Sequence, residues 1–120
     1  MKKILHIDDD KILIKFVDLL LMGKPYKLIS ETLGTNAIRL VLEHRPDLIL
    51  LDMLIPDMSG YEILEQLKQN SETKNIPVIA LSVSSEREKS LNAGATVHIT
   101  KPMKEEKLLK TIHELTSNGK

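Results

Sequence analysis

The chain has 120 residues, no cysteine, and 17 acidic against 17 basic side chains, so its formal net charge is zero. This balance argues against nonspecific nucleic-acid binding, and the lack of cysteine excludes disulfides and thiolate metal sites. No apolar run reaches membrane-spanning length, and Asp8 interrupts the first apolar run too early for a signal peptide. We therefore expect one cytoplasmic domain over residues 1–120, with its core over about 2–117, no membrane insertion and no direct nucleic-acid partner.

Short apolar runs alternate with helical spacing from the first residues onward. Ile12, Phe16 and Leu19 fall at positions i, i+4 and i+7 and indicate a first helix, which Asp10 is placed to cap. The run 48–51 is apolar at every position, as in a strand that is covered on both faces. For the first half the pattern predicts a strand over 4–7, a helix ending near Gly23, a strand over 26–32, a short helix ending before Pro46 and a strand over 48–51.

The second half continues the alternation after a loop over residues 53–60. Ser84 and Ser85 with Glu88 resemble a capping box that begins a fourth helix, and Gly94 is placed to end it. The pattern first predicts a helix marked by Ile63, Leu64 and Leu67 and a strand opened by Pro77. After the fourth helix it predicts a strand over 97–100 and a final helix, which is marked by Leu108, Ile112 and Leu115 and frays over 117–120. Five such strand–helix units predict a doubly wound α/β fold, with a parallel sheet between two layers of helices.

Five charged or hydroxyl side chains stand directly behind predicted strands. Asp8 and Asp9 follow the first strand, Asp52 the third, Ser82 the fourth and Lys101 the fifth. Because sites in open parallel sheets form where the strands finish, these groups are expected to meet at one edge. Gathered carboxylates hold a hard cation, and a hydroxyl and an ammonium suit a transferred phosphoryl group. Each acid also has a simpler interpretation, as a helix cap or a solvated strand end.

The ordered set of motifs resembles the receiver domain of two-component response regulators, the CheY-like family, over nearly the whole chain. Each motif alone is a weak signal, but the set in this order and spacing is specific. The matching stretches are residues 4–10, 46–60, 76–82, 94–95 and 101–102. The resemblance implies the flavodoxin-like strand order 2-1-3-4-5, with five helices in a three-layer α/β/α arrangement.

The resemblance also assigns roles to the residues at the edge of the sheet. Asp52 corresponds to the phosphoacceptor, and Asp9 to a direct ligand of Mg²⁺, or alternatively Mn²⁺. Asp8 corresponds to a ligand that acts through metal-bound water, and the backbone carbonyl of Leu54 completes the protein ligands. The phosphate-contacting and switch residues are Ser82 and Lys101, and the peptide bond between Lys101 and Pro102 is expected to be cis.

The function that the resemblance implies is that of a stand-alone, Mg²⁺-dependent receiver without an output domain. A sensor histidine kinase or phosphotransfer protein supplies the phosphoryl group, and the domain itself catalyses transfer onto Asp52 and slow autodephosphorylation. Output is then a protein–protein interaction on the face formed by helix 4, strand 5 and helix 5, or onward transfer in a phosphorelay. The alternatives are a receiver-like binding module that works without phosphorylation and a Mg²⁺-dependent phosphatase.

Several positions depart from the family's usual residues. His98 stands where Tyr or Phe is usual, and we interpret it either as a partly exposed strand residue or as a switch or pH-sensitive contact. Val83 replaces a small residue and is expected to narrow access to the phosphoacceptor. Leu54 and Ser84 occupy positions that influence dephosphorylation, and because Leu54 cannot orient water we expect a long-lived phosphoryl group.

Two further departures concern side chains that we expect to pack inside the domain. Met103 stands where an aromatic residue is usual after the Lys-Pro pair, and we interpret it as a flexible packing substitute. His6 lies within the first predicted strand and is interpreted as a hydrogen-bonded core residue rather than a ligand.

Overall fold

The protein is described here by a computed structural model, which covers residues 1–117. Five strands and five α-helices alternate along the chain, with a short 3-10 turn at Gly34–Asn36 before the second helix. The elements are β1 (Lys2–Ile7), α1 (Lys11–Leu21), β2 (Tyr26–Glu31), α2 (Ala37–His44), β3 (Leu48–Asp52), α3 (Gly60–Gln69), β4 (Val78–Ser82), α4 (Arg87–Asn92), β5 (Val97–Thr100) and α5 (Glu105–Thr116).

The five strands form one parallel sheet in the order β2-β1-β3-β4-β5. β1 pairs with β3 so that Ile7 lies opposite Leu51, and β3 pairs with β4 so that Asp52 lies opposite Leu81. This register brings the carboxyl ends of β1, β3 and β4 to one level at the same edge. The predicted strand order and the five-stranded, doubly wound fold are therefore confirmed.

Two hydrophobic cores cover the two faces of the sheet. In the first core, residues such as Leu5 and Leu51 pack against α2 and α3, and Leu91 of α4 lies against the same cluster. In the second core, residues such as Ile4 and Leu50 pack against α1 and α5. Neighbouring residues of one strand point to opposite faces, so a strand such as β3 must be apolar throughout, and each of its residues is buried. This explains the apolar run from which β3 was predicted.

Most of the predicted boundaries agree with the structure to within one or two residues. Asp10 caps α1 as expected, since its Oδ1 accepts hydrogen bonds from the backbone N–H groups of Ile12 and Leu13 at 2.9 and 3.3 Å. Gly23 and Gly94 follow α1 and α4 with φ of +79° and +118°, a backbone region that strongly favours glycine. Ser117 follows α5, and the rest of the stretch expected to fray, residues 118–120, lies outside the described residues.

Two details of the helices differ from the expectation. Ile12 and Leu19, used to predict α1, are 83% and 55% exposed, and Val17, Leu20 and Leu21 supply its buried face. Two apolar stripes on one helix satisfy the same spacing rule, so spacing alone did not select the inner one. The capping box predicted for Ser84, Ser85 and Glu88 is also wrong.

α4 begins at Arg87, one residue later than a cap at Ser85 would place it. Glu86 occupies the cap position and makes no side-chain hydrogen bond there, while the Ser84 hydroxyl accepts from the backbone N–H of Glu86 at 3.2 Å. The serines therefore form a turn ahead of a six-residue helix instead of capping it. Within residues 1–117, none of the helices has the length and apolarity needed to cross a bilayer.

Candidate functional site at the carboxyl edge of the sheet

Three carboxyl groups meet where β1 and β3 end. Asp8 and Asp9 follow β1 and Asp52 is the last residue of β3, and each offers an oxygen within 4.8 Å of the others. Asp8 and Asp52 are buried, whereas Asp9 is exposed at the mouth of the cluster. Three converging carboxylates repel one another unless a cation lies between them, so the donor set fits a hard divalent ion such as Mg²⁺.

Asp8 is held from several directions. Its Oδ1 accepts a hydrogen bond from the backbone N–H of Asp10 at 2.9 Å, and its Oδ2 lies 3.3 Å from Lys101 Nζ and 3.4 Å from His6 Nε2. Burial opposes ionisation of this carboxyl group. The contact with His6, the Asp10 N–H and the Lys101 ammonium together outweigh burial and hold the pKa of Asp8 below its ordinary value. Asp8 is therefore held in its carboxylate form near neutral pH.

Asp52 has fewer compensating groups than Asp8. Its Oδ1 accepts one backbone hydrogen bond, from Leu54 at 3.1 Å, and lies 3.5 Å from Lys101 Nζ. Burial and the negative charge of Asp8 outweigh these contacts and raise the pKa of Asp52 to about 6. Near neutral pH the carboxylate form prevails, which is the nucleophilic form.

Lys101 and Ser82 complete the edge. Lys101 is largely buried, with 16% of its side chain exposed, and its ammonium bridges Asp8 and Asp52. Its backbone N–H donates to the Ser82 carbonyl at 2.7 Å, which ties the segment after β5 to the end of β4. The Ser82 hydroxyl is buried and accepts from the Ser84 N–H at 3.1 Å. The bond between Lys101 and Pro102 is cis, as expected.

The loop after Asp52 turns back tightly onto the end of β3. The Gly60 N–H donates to the Met53 carbonyl at 3.2 Å, and a Cβ at Gly60 would lie 2.6 Å from Met53 Cα and 2.9 Å from the Asp52 carbonyl oxygen. Only glycine allows this approach, so Gly60 sets the path of the segment that contains Leu54.

The positions expected to modulate access lie around this edge. Val83 and Leu54 are 68% and 56% exposed, and Ser84 is half-buried. Val83 borders an apolar groove beside Lys101 that Ile12 and Met103 also line. Met103 packs against the core of the α1 and α5 face, which confirms its predicted role as a packing residue.

His98 is buried, with 7% of its surface exposed, so the interpretation as a partly exposed strand residue is wrong. Its Nδ1 lies 2.8 Å from the Ser90 hydroxyl of α4 and its Nε2 lies 3.2 Å from the Thr100 hydroxyl. α4 packs directly over β5, and the burial of His98 comes from this contact, which the strand sequence alone does not reveal.

His6 was expected to be a hydrogen-bonded core residue, and the structure confirms the burial but not the hydrogen bond. The side chain is fully buried, and neither ring nitrogen has a hydrogen-bond partner among residues 1–117. Its proximity to Asp8 was not predicted, although a histidine two residues ahead of an aspartate in one strand places both side chains on one face.

Comparison with known proteins agrees with this arrangement. The model of the response regulator receiver domain family matches residues 4–113. The chain is 32% identical over 114 residues to the polar-differentiation response regulator DivK of Brucella anthropi. The aligned region covers 92% of this chain and 93% of DivK.

Two solved structures have the same fold with more than a quarter of their residues identical. The receiver domain of a signal transduction histidine kinase from Syntrophus aciditrophicus has a TM-score of 0.91 and 32% identity, covering 100% of this chain and 93% of that one. The chemotaxis protein CheY4 of Vibrio cholerae has a TM-score of 0.86 and 29% identity, covering 96% and 98%. The chain therefore belongs to the response regulator receiver domains of two-component signal transduction.

Proposed function

We propose that this receiver domain accepts a phosphoryl group on Asp52 from a phosphohistidine of a sensor histidine kinase or phosphotransfer protein. The observation that carries this proposal is the position of Asp52, at the mouth of the sheet edge, between two other carboxyl groups and one ammonium. The exposed Asp9 leaves this edge open to a donor protein, whereas the rest of β3 is covered on both faces.

The transfer exchanges one bond to phosphorus for another. A carboxylate oxygen of Asp52 attacks phosphorus, the P–N bond to the donor imidazole breaks, and that nitrogen retains the electron pair and gains a proton. The Lys101 ammonium already contacts Asp52 Oδ1 and offsets charge on the phosphoryl oxygens. Ser82 is the last residue of the neighbouring strand β4, and its hydroxyl would donate to the same group.

The acidic cluster and one backbone group would hold a divalent metal. The ligands would be Asp8, Asp9, Asp52 and the Leu54 carbonyl, and oxygen ligands of this kind suit Mg²⁺ and also Mn²⁺. When bound, Mg²⁺ neutralises charge on the carboxylates and on the incoming phosphoryl oxygens. The chain's own contribution is to keep Asp8 ionised and Asp52 within reach of Lys101.

Phosphorylation would then change what binds to the face formed by α4, β5 and α5. A new dianionic group at Asp52 draws on Lys101 and Ser82, and both are connected to β4 and β5 through backbone hydrogen bonds. His98 lies on β5 and contacts α4 through Ser90, so it is the side chain on this face best placed to transmit the change. The output is a shifted protein–protein interaction or onward transfer in a phosphorelay.

Mass spectrometry after incubation with acetyl phosphate and Mg²⁺ tests the proposal. The wild type should gain one acid-stable, base-labile phosphate, and the Asp52→Asn variant should gain none. Asp57→Asn is the matched control, because Asp57 is the other acid of the same loop and should leave labelling intact. Equal labelling of Asp52→Asn and wild type would exclude Asp52 as the acceptor.

A companion measurement addresses the phosphorylation-independent binding module. Beryllofluoride with Mg²⁺ mimics the phosphoryl group, so the NMR shifts of α4, β5 and α5 should move when it is added. Unchanged shifts over this face, in a sample whose Asp52 region does respond, would favour constitutive binding.

A further inference from the structure

His6 is a histidine among the aliphatic residues of β1. Between the buried residues Ile4, Leu5 and Ile7, His6 is fully buried, and it pairs with β2 on one side and β3 on the other. Neither of its ring nitrogens has a hydrogen-bond partner within residues 1–117. A buried, unpartnered imidazole is unfavourable compared with an aliphatic side chain, so its presence here requires a compensating interaction.

The nearest charged group identifies that interaction. His6 Nε2 lies 3.4 Å from Asp8 Oδ2, and no part of either side chain is exposed to solvent. Asp8 directly follows β1, and side chains two residues apart in extended backbone share a face, so the imidazole and the carboxyl group lie on the same side of the sheet. At 3.4 Å the approach is longer than a usual N–H···O hydrogen bond, so it is a close polar contact between two fully buried groups.

The other contacts of Asp8 show what His6 adds. The Asp10 N–H restrains Oδ1 from the turn that begins α1, and Lys101 approaches Oδ2 from the segment after β5. Lys101 also contacts Asp52, so it cannot be committed to Asp8 alone. His6 has no hydrogen-bond partner among residues 1–117, so of these groups it is the side chain whose polar contact is with Asp8 alone.

We infer that His6 is a positioning residue for metal binding, with Nε2–H directed at Asp8 Oδ2 and fixing the orientation of that carboxylate. The inference rests on the proposed function, because it assumes that Asp8 is a metal ligand. Groups that hydrogen-bond to a ligating carboxylate orient it, and their loss weakens metal affinity about 10-fold to 100-fold.

Direct Mn²⁺ binding, followed by electron paramagnetic resonance, tests the inference without reference to phosphorylation. His6→Leu should raise the dissociation constant about 10-fold. His6→Gln places an amide N–H near the Nε2 position and should restore most of the affinity, whereas His6→Asn is too short and should not. The exposed His113→Leu is the control and should leave the affinity unchanged.

Two additional readouts separate positioning from a structural role. Metal-free His6→Leu should keep the circular dichroism spectrum of the wild type and a cooperative thermal transition, so that its loss of Mn²⁺ affinity reports on the site and not on unfolding. Long-range ¹⁵N–¹H spectra of the wild type should show the proton of His6 on Nε2, and a proton on Nδ1 alone would overturn the inference even if a variant fails to fold.

The outcomes also distinguish this inference from the function on which it rests. Wild-type affinity in a folded His6→Leu variant would overturn the role of His6 and leave the proposed function intact. A wild type that binds neither Mn²⁺ nor Mg²⁺ would overturn both the metal-dependent proposal and this inference.

Discussion

The two histidines of the sheet are both buried, yet their surroundings differ completely. His98, in β5, faces α4 and has a partner for each ring nitrogen. His6, in β1, faces the opposite side of the sheet, lies 3.4 Å from Asp8 and has no hydrogen-bond partner in the part of the chain that the structure describes. His98 is thus part of a hydrogen-bonded chain of side chains, whereas His6, at similar burial, contacts the carboxyl group of Asp8. Burial alone does not define what a polar residue does; its partners do.

The partners also specify opposite tautomers. The Ser90 hydroxyl donates to the Arg87 carbonyl at 3.0 Å, so His98 Nδ1–H must donate to the Ser90 oxygen. His98 Nε2 then accepts from the Thr100 hydroxyl, and each group in the chain is satisfied. His6, by contrast, needs its proton on Nε2 to contact Asp8 favourably.

The largest effect is expected from removing the negative charge of Asp8, the carboxyl group that His6 contacts. Asp8→Asn should slow Mg²⁺-dependent phosphorylation of Asp52 by acetyl phosphate about 100-fold, because the site loses one of its anionic groups. In this background His6→Leu should add no further loss of Mn²⁺ affinity, since the carboxylate it oriented is gone. Rates from mass spectrometry and a double-mutant cycle in Mn²⁺ affinity provide the measurement. Fully additive losses in the cycle would contradict coupling between His6 and Asp8.

The second prediction concerns Asp52, the buried carboxyl group without a histidine behind it. Its pKa is raised to about 6 in the folded protein, against roughly 3.9 in the unfolded chain. The folded state therefore holds the proton more tightly, and the stabilisation, fully present below about pH 4, is lost as the pH rises through about 6. In metal-free buffer the wild type should lose roughly 2 kcal/mol of unfolding free energy between about pH 4 and pH 7 relative to Asp52→Asn.

Urea unfolding at several pH values, with a chelator present, measures this difference. Taking the difference in unfolding free energy between the wild type and Asp52→Asn removes the contribution of titratable groups remote from the site. Because Asp8 and Asp52 influence each other, this difference reports on the two carboxyl groups together. Parallel pH profiles for the two proteins would show that the Asp52 carboxyl group is not perturbed.

The third prediction concerns His98, whose two ring nitrogens both have hydrogen-bond partners. Ser90→Ala leaves His98 Nδ1–H buried without an acceptor and should lower the unfolding free energy by about 1–3 kcal/mol. Urea unfolding of Ser90→Ala and of the wild type measures this loss. The double variant Ser90→Ala with His98→Phe should recover part of the loss, because no buried N–H is then left unpaired. An undiminished stability of Ser90→Ala would remove the difference between the two histidines.

The fourth prediction asks whether the hydrogen-bond chain of His98 participates in switching. On addition of beryllofluoride and Mg²⁺, NMR shifts in α4 and α5 should change in the wild type and change less in His98→Ala. His44→Ala, a substitution on the surface of α2, serves as the control. If the activation shifts elsewhere are the same in His98→Ala and wild type, His98 is only a structural residue.

The smallest effect is expected at the rim of the site. Val83 is 68% exposed and borders the groove beside Lys101, so Val83→Ala should raise the rate of labelling by acetyl phosphate a few-fold. Ile12→Ala, on the far side of the same groove, is the matched control and should have no effect on this small donor. An unchanged rate in Val83→Ala would show that the valine does not restrict access.

The sequence predicted the strands and helices because β3 is apolar throughout and because turn residues such as Gly23 and Gly94 mark the helix ends. It also predicted the carboxyl edge, since Asp8, Asp9 and Asp52 each follow an apolar strand. It did not predict the inner face of α1 or the start of α4, where two patterns of similar strength compete.

What only the tertiary structure decided is which groups surround each buried polar atom. Asp8 and Lys101 are 93 residues apart in sequence and 3.3 Å apart in the folded chain, and Ser90 reaches His98 only because α4 packs over β5. Local patterning depends on the period of a helix or strand and is written in neighbouring residues. The pKa of Asp52 and the partners of the two histidines depend on distance and burial across elements, which local spacing does not encode.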